Sequence, residues 1–390
     1  MPILSVIIPT HNRQRYAIDA VSAILENFPD TEVIVSDTSD TRDIESALQK
    51  WIEGGRLLYC HSSEKTDVVR NFENGLSLAS GDYLIFIGDD DCLGPQAEQI
   101  ASWAKKNQID AVGCTLGASY CWPDFRSKYF KDGYAAKLAI VSYTASAVEV
   151  DGAAELRACL KDLGAGPAGM PRAYLGMVSR QVVQKIQAQY GSLFGGVSPD
   201  IYSAALVAVE SRRIVKLDFP FVLPGSSGAS TSGQSASGGH KGKLRDNAHI
   251  GAFQNLVWDA AIPEFYSVQT VWSFSIIKAV EKLSESSLKP NYARLYARCL
   301  VYHRGYLAET LRSIRYMANS VGTLSIWGHI SMEIINEFWL QTRRVSHRII
   351  RPKATANSSV IENLPKVSDA YRALNEFVVA EGKRFPWDVR

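Results

Sequence analysis

The 390-residue sequence contains no Cys-x-x-Cys pair and no zinc-like spacing of cysteine and histidine. Its six cysteines (Cys60, Cys92, Cys114, Cys121, Cys159 and Cys299) are scattered, which argues against a disulfide framework or a zinc module and suits ordinary cytosolic thiols. No apolar run approaches the roughly 18–20 residues of a membrane span. The start, Met1 to Ser5, lacks the basic residues and long apolar core of a signal peptide. A cytoplasmic protein is expected. An excess of one charge is missing as well: 42 Lys and Arg face 40 Asp and Glu, a net charge of +2. That is too balanced for a protein that grips nucleic acid by charge, so no nucleic-acid partner is expected. With 46% hydrophobic and 21% charged residues the chain is not disordered. It shows no internal repeat.

The balance conceals an asymmetry. Residues 1–249 carry a net charge of −4 and residues 250–390 a net charge of +6. At roughly 100–200 residues per domain the chain has room for two units. The expectation is an α/β unit over 1–249 and a mostly α-helical C-terminal unit over 250–390.

The first 115 residues alternate strand and helix signals. Leu4–Ile8, Glu32–Ser36, Leu57–Cys60, Tyr83–Ile87 and Ala111–Cys114 read as strands, separated by helices over about 13–28, 44–52, 68–79 and 96–106. Strands this apolar imply a mainly parallel sheet covered on both faces. Such sheets bind ligands at the carboxyl ends of their strands. The loops after Ile8, Val35 and Ile87 should therefore converge. They carry Thr10-His11-Asn12-Arg13, Asp37-Thr38-Ser39-Asp40 and Asp89-Asp90-Asp91.

The acidic triplet is the sharpest feature. Three adjacent carboxylates repel one another and are easier to explain beside a cation or many hydrogen-bond donors. Oxygen ligands suit Mg²⁺ or Mn²⁺. An acidic surface turn with Asp91 near the following helix cap is the other reading.

Leu4 to Arg13, followed by Arg70-Asn71, Gly75-Leu76, Ala79, Gly81-Asp82-Tyr83, Asp89-Asp90-Asp91 and Pro95, resembles family 2 glycosyltransferases, enzymes with the GT-A fold. The order and spacing agree over about the first 100 residues. The resemblance implies a GT-A-like sheet, a nucleotide-diphosphate sugar donor (a UDP-sugar favoured), a divalent Mn or Mg cofactor, and inversion at the anomeric carbon. The acceptor would be a saccharide or lipid-linked saccharide in surface polysaccharide or glycolipid synthesis. It places Pro9, Thr10, Asn12, Arg13 and Arg70 around the nucleotide and Asp37 at the base or ribose. Asp89 falls near the ribose or the metal, Asp91 on the metal, and Asp90 between the two roles. The sequence departs from the family at Gly88, where an Asp is frequent, and at Ser36-Asp37-Thr38, where two acidic residues are usual.

Asp200, in Ser198-Pro199-Asp200, is the candidate general base that takes the acceptor proton. The same residues also make a good helix start, with Ser198 as cap and Pro199 at the first position. Residues 225–243 are packed with Gly and Ser, so little regular structure is expected there. The segment reads as a lid that brings His240 to the metal and Lys241 and Lys243 to phosphate, or as a plain linker. His249 is the fallback for His240, and His11 reads as a local hydrogen-bond partner. Tyr120, Trp122 and Phe125 read as core or as an acceptor-side wall.

In the C-terminal unit, aromatic residues interleave with Arg294, Arg298, Arg304, Arg312 and Arg315, and Trp327 to Trp339 precede Arg343-Arg344 and His347-Arg348. Such a helix fits an anionic membrane surface, which would make the protein peripheral on the inner face of the membrane; packing or homodimerisation fits as well. Three other functions stay open. A sugar nucleotidylyltransferase needs a glycine-rich loop that Pro9 to Arg13 lacks. A non-catalytic nucleotide-sugar-binding protein would lack a usable base, and a scaffold would not require the triplet.

Overall fold

The computed structural model describes residues 1–64, 66–239, 241–283, 285, 287–350 and 358–383, of which 344, 345, 347–350 and 358 are described by backbone only. The chain opens with β1 (Leu4–Thr10), α1 (Gln14–Asn27), β2 (Glu32–Asp37), α2 (Asp43–Glu53), β3 (Leu57–His61), α3 (Val68–Leu78) and β4 (Tyr83–Phe86). β1 pairs in parallel with β2 and β4, and β2 with β3. The strands are near-continuous apolar runs because helices cover both faces: Val6, Ile8, Val33 and Val35 belong to one core, Ile7, Ile34, Leu84 and Phe86 to the other.

The sheet is mixed rather than parallel throughout. Beyond β4 comes the short strand Met177–Ser179, antiparallel to both β4 and Ala111–Cys114. Ile214–Leu217 then pairs in parallel with Ala111–Cys114, and Ala147–Glu149 closes the edge in antiparallel sense. The apolar run over 214–223 does not form one strand. After Leu217 the chain leaves this sheet, and Val222–Leu223 pairs instead with Cys92–Leu93. The break lies where the Asp218 carboxylate holds Thr144 and Thr115.

The core runs across residue 249. The helix Val268–Leu283 packs on the helix Pro199–Glu210, and Ile262, Phe265, Phe274 and Leu295 share a cluster with Leu84 and Phe86. The C-terminus returns to the first sheet layer. Ser358–Ile361 pairs with Lys137–Val141, and the helix Val367–Glu381 packs on α1, with Tyr371 edge-on to Phe28. Between these lie the helices Tyr292–Tyr302, Leu307–Val321 and Thr323–Ile350.

Tyr120 and Trp122 are buried in the core, and Phe125 is buried too. They do not form an exposed wall.

Candidate active site

Strand order places the site. β1 lies between β2 and β4, so the chain departs in opposite directions from β1 and opens a crevice at their carboxyl ends. Thr10 ends β1 and the acidic triplet follows β4. The Thr10 hydroxyl donates to Asp89 Oδ2 at 2.8 Å, and Arg13 Nη1 lies 3.0 Å from Asp89 Oδ1. Arg13 Nη2 also donates to the Ala229 carbonyl at 2.6 Å. Asp89, Asp90 and Asp91 are all buried, each 4% exposed or less.

The triplet is held by donors from four segments. Asp91 Oδ2 accepts from the Gly88 amide (2.7 Å) and the Tyr174 hydroxyl (3.0 Å), and Oδ1 accepts from the Gly225 amide (2.6 Å). Asp90 Oδ2 accepts from the Ser227 amide at 3.0 Å. Burial raises the carboxyls of Asp89 and Asp91; Arg13 opposes this at Asp89, and the charge of Asp90 adds to it at both. Burial and the charges of Asp91 and Asp90 push the Tyr174 phenol far up, so it is a neutral donor.

Two glycines permit this packing. A Cβ at Gly225 would lie 1.7 Å from the Asp90 carbonyl oxygen. At Gly88 it would meet the Tyr174 hydroxyl at 2.8 Å and Asp91 Oδ2 at 2.9 Å. The departure from the family pattern at Gly88 thus has a local cause: Asp91 and Tyr174 occupy the space a side chain would need.

The Gly/Ser-rich segment is more regular than its composition suggests. Gly225–Ser226 pairs with Ala118–Cys121, Thr231–Ser237 is a short helix capped by Ser230, and Lys241–Lys243 pairs with Phe265–Ser267. Its amides at Gly225 and Ser227 are what fix it to the triplet.

The second loop turns inward. Asp37 is buried, with Oδ1 accepting from the Ser39 amide and Oδ2 from Tyr59, both at 2.8 Å. Each oxygen thus has one partner inside the protein, and Asp37 ties the loop after β2 to β3. Asn12 joins the first two loops: its amide donates to Ser39 Oγ, and its side chain exchanges hydrogen bonds with Asp40. Pro9 lies in β1 opposite Ser36. Asn71 is buried and donates to the Thr10 carbonyl while accepting from Ser36. Arg70 is exposed on α3, and its guanidinium has no partner among the described residues. His11 Nδ1 sits 2.8 Å from the Thr38 carbonyl, a local partner as expected.

Asp200 begins the helix Pro199–Glu210 and is half-buried. Ser198 makes no side-chain bond to the helix backbone. Its hydroxyl donates to Asp200 Oδ1 at 2.5 Å instead. The charge of Asp200 acts on both Tyr174 and His249. His249 Nε2 lies 2.6 Å from the Val197 carbonyl, and burial lowers its pKa, so the ring is neutral with that nitrogen committed as donor. His240 lies outside the described residues. Tyr174, Gly225 and Ser227 are the site residues that sequence reasoning missed.

The donor chemistry fits a hard divalent cation: the carboxylates are buried together, and Asp90 Oδ1 accepts no hydrogen bond among the described residues. Their other oxygens are already held, and no group of three or more His, Cys, Asp or Glu among the described residues is laid out around a metal.

The stretch that supplies the loops after β1, β2 and β4 has known relatives. Residues 5–147 match the model of glycosyl transferase family 2. The resemblance read from Leu4–Arg13 and the acidic triplet is thereby confirmed for this part of the chain. Over 98 residues the chain is 41% identical to the GalNAc(5)-diNAcBac-PP-undecaprenol beta-1,3-glucosyltransferase of Campylobacter jejuni, covering 24% of this chain and 31% of that protein. Over 124 residues it is 30% identical to the abequosyltransferase RfbV of Salmonella typhimurium, covering 30% and 37%. The chain thus spans about a third of the length of these curated relatives. Among solved structures, S. aureus TarS 1–349 in complex with UDP-GlcNAc aligns over 99% of this chain and 93% of its own, with a TM-score of 0.51 and 13% identity. The fold is GT-A-like.

Proposed function

We propose that the protein is a glycosyltransferase that moves a sugar from a nucleotide-diphosphate donor, a UDP-sugar by preference, to a hydroxyl acceptor in surface polysaccharide or glycolipid synthesis. The observation that carries this reading is the contact of Thr10 and Arg13 with Asp89 at the strand switch point, inside the segment that matches the family model. The lipid-linked substrate of the Campylobacter jejuni relative, a saccharide on undecaprenol diphosphate, favours a lipid-linked saccharide acceptor. A cytoplasmic site, peripheral on the inner membrane face, belongs to the same proposal.

In this reading Pro9, Thr10, Asn12, Arg13 and Arg70 border the nucleotide, and Asp37 holds the base or ribose. The free oxygen of Asp90 and Asp91 Oδ1, which accepts a single hydrogen bond, would hold Mn²⁺ or Mg²⁺, with Asp89 kept toward the ribose by Arg13 and Thr10. When bound, the cation supplies Lewis-acid stabilisation of the leaving diphosphate. The acceptor oxygen forms a bond to the anomeric carbon as the bond from that carbon to the diphosphate oxygen breaks, with inversion. The acceptor proton passes to the Asp200 carboxylate. The electron pair leaves with the nucleoside diphosphate, and the transition state is oxocarbenium-like.

The test is a thermal-shift panel of nucleoside diphosphates and their sugars, with and without Mn²⁺. A ligand of the folded state raises the melting temperature by mass action, so the donor gives the largest Mn²⁺-dependent rise. A flat panel overturns the proposal.

A further inference from the structure

The helix Thr323–Ile350 has two apolar faces, and its partners within the described chain cover one. On the inner face Ile326 and Ile330 are buried with Ala293, Tyr296 and Ile314. Glu337 and Glu333 point the same way, 2.6 and 3.5 Å from Arg294, which is also paired with Asp162 at 2.7 Å. At about 100° per residue, Leu324, Met332, Ile335, Phe338 and Trp339 fall on the opposite side. They are 92%, 63%, 69%, 60% and 58% exposed. A helix that is apolar on both faces is normally covered on both, and an exposed patch of this kind marks a docking surface.

Charge decides what docks there. Glu333 and Glu337 are turned inward onto Arg294, so they add no negative charge to the outer face. The cations stay outside. Arg343 is exposed with its guanidinium 5.6 Å from the centre of the Trp339 ring, and Arg312 and Arg315 are exposed on the neighbouring helix Leu307–Val321. Tyr316 on that helix is exposed too. The outer face is therefore an apolar stripe accompanied by arginine and by aromatic side chains of the kind that sit at headgroup level. An anionic lipid surface satisfies both the stripe and the charge. No described helix is long and apolar enough to cross a membrane, so the contact is with the surface.

We propose that the outer face of the helix Thr323–Ile350 binds the headgroup layer of an anionic phospholipid membrane, with Leu324, Met332, Ile335, Phe338 and Trp339 inserted and Arg312, Arg315 and Arg343 on lipid phosphates. It rests on the peripheral placement given above, and because its test uses neither donor nor metal it can fail without the transfer reading failing.

The test is flotation of the full chain with phosphatidylcholine vesicles and with vesicles in which roughly a third of the lipid is phosphatidylglycerol. The protein should float with the anionic vesicles at low salt and stay down with the neutral ones. Met332→Ser with Phe338→Ser, both at exposed positions, should lower the partition coefficient roughly ten-fold at an unchanged melting temperature. Arg312→Glu with Arg315→Glu should remove the preference for anionic lipid. Failure to float with anionic vesicles overturns the proposal, as does unchanged flotation of the serine variant. A dimer in light scattering that the serine variant dissolves, without flotation of the parent, would assign the face to a second copy instead.

Discussion

Thr10 and Asp89 are 79 residues apart, and the hydroxyl of one donates to the carboxylate of the other at 2.8 Å. That bond joins the carboxyl ends of two adjacent parallel strands, and Arg13 completes it from the first turn beyond β1. The buried Asp89 carboxylate therefore relies on two partners from a single loop.

Arg13→Ala should expose this reliance. The Arg13 side chain is 26% exposed and the Asp89 side chain 4%, so the loss falls on the acid, which keeps its burial and loses its cation. Partial solvent access to Arg13 reduces the effect below that of a fully buried pair, to about 1–3 kcal/mol at pH 7. Urea unfolding measures it. A variant as stable as the parent would mean that Thr10 alone satisfies Asp89.

Gly225 passes over the Asp90 backbone with no room for a methyl group, since its Cβ would stand 1.7 Å from a carbonyl oxygen that cannot rotate away. Gly225→Ala should cost about 2–3 kcal/mol through backbone displacement and should loosen the amide bond to Asp91. Gly242 lies in the same Gly/Ser-rich segment with nothing within 4 Å of its Cβ position. Gly242→Ala should stay within about 0.5 kcal/mol of the parent. Chemical denaturation of the pair separates a packing requirement from a general need for glycine in this segment.

Much of this site was legible because its first half follows local rules. β1 to β4 are apolar enough to read as buried parallel strands, and the loop after β4 carries three adjacent aspartates. The other half is built from groups that leave no side-chain pattern. Gly225 and Ser227 act through backbone amides. Tyr174 reaches Asp91 because its neighbours Ala173 and Leu175 bond to Phe86 across the sheet, far apart in sequence. Met177–Ser179 is too short to show periodicity, and its antiparallel insertion is set by distant partners. Arg294 and Arg298 read as surface cations, yet both are buried against Asp162 and Glu337. Composition alone could not tell these arginines from the exposed Arg312 and Arg315.

Asp200 separates binding from chemistry. Its carboxylate accepts from Ser198 and is half-buried, which leaves it reachable. Asp200→Asn keeps the shape and removes the proton acceptor. Donor-induced thermal shifts should be unchanged, while the transfer rate should fall by about 10²–10⁴. Parent-like turnover would remove Asp200 from the mechanism, and loss of the thermal shift would make it a binding residue.

Asp218 sets an acid limit on stability. Partial burial alone would raise its carboxyl, but hydrogen bonds from the Thr144 hydroxyl and amide and from the Thr115 hydroxyl, with Lys383 nearby, outweigh this and hold it below the ordinary range. A carboxyl depressed in the folded state stabilises the protein above its unfolded value, about 3.9. That contribution is lost as pH falls through the lower folded value. Asp218→Asn should therefore be less stable than the parent at pH 7, and the gap should close below about pH 4. Urea midpoints at pH 7, 5 and 3.5 follow the difference. A gap independent of pH would mean that the geometry of the side chain, and not its charge, holds the bend after Leu217.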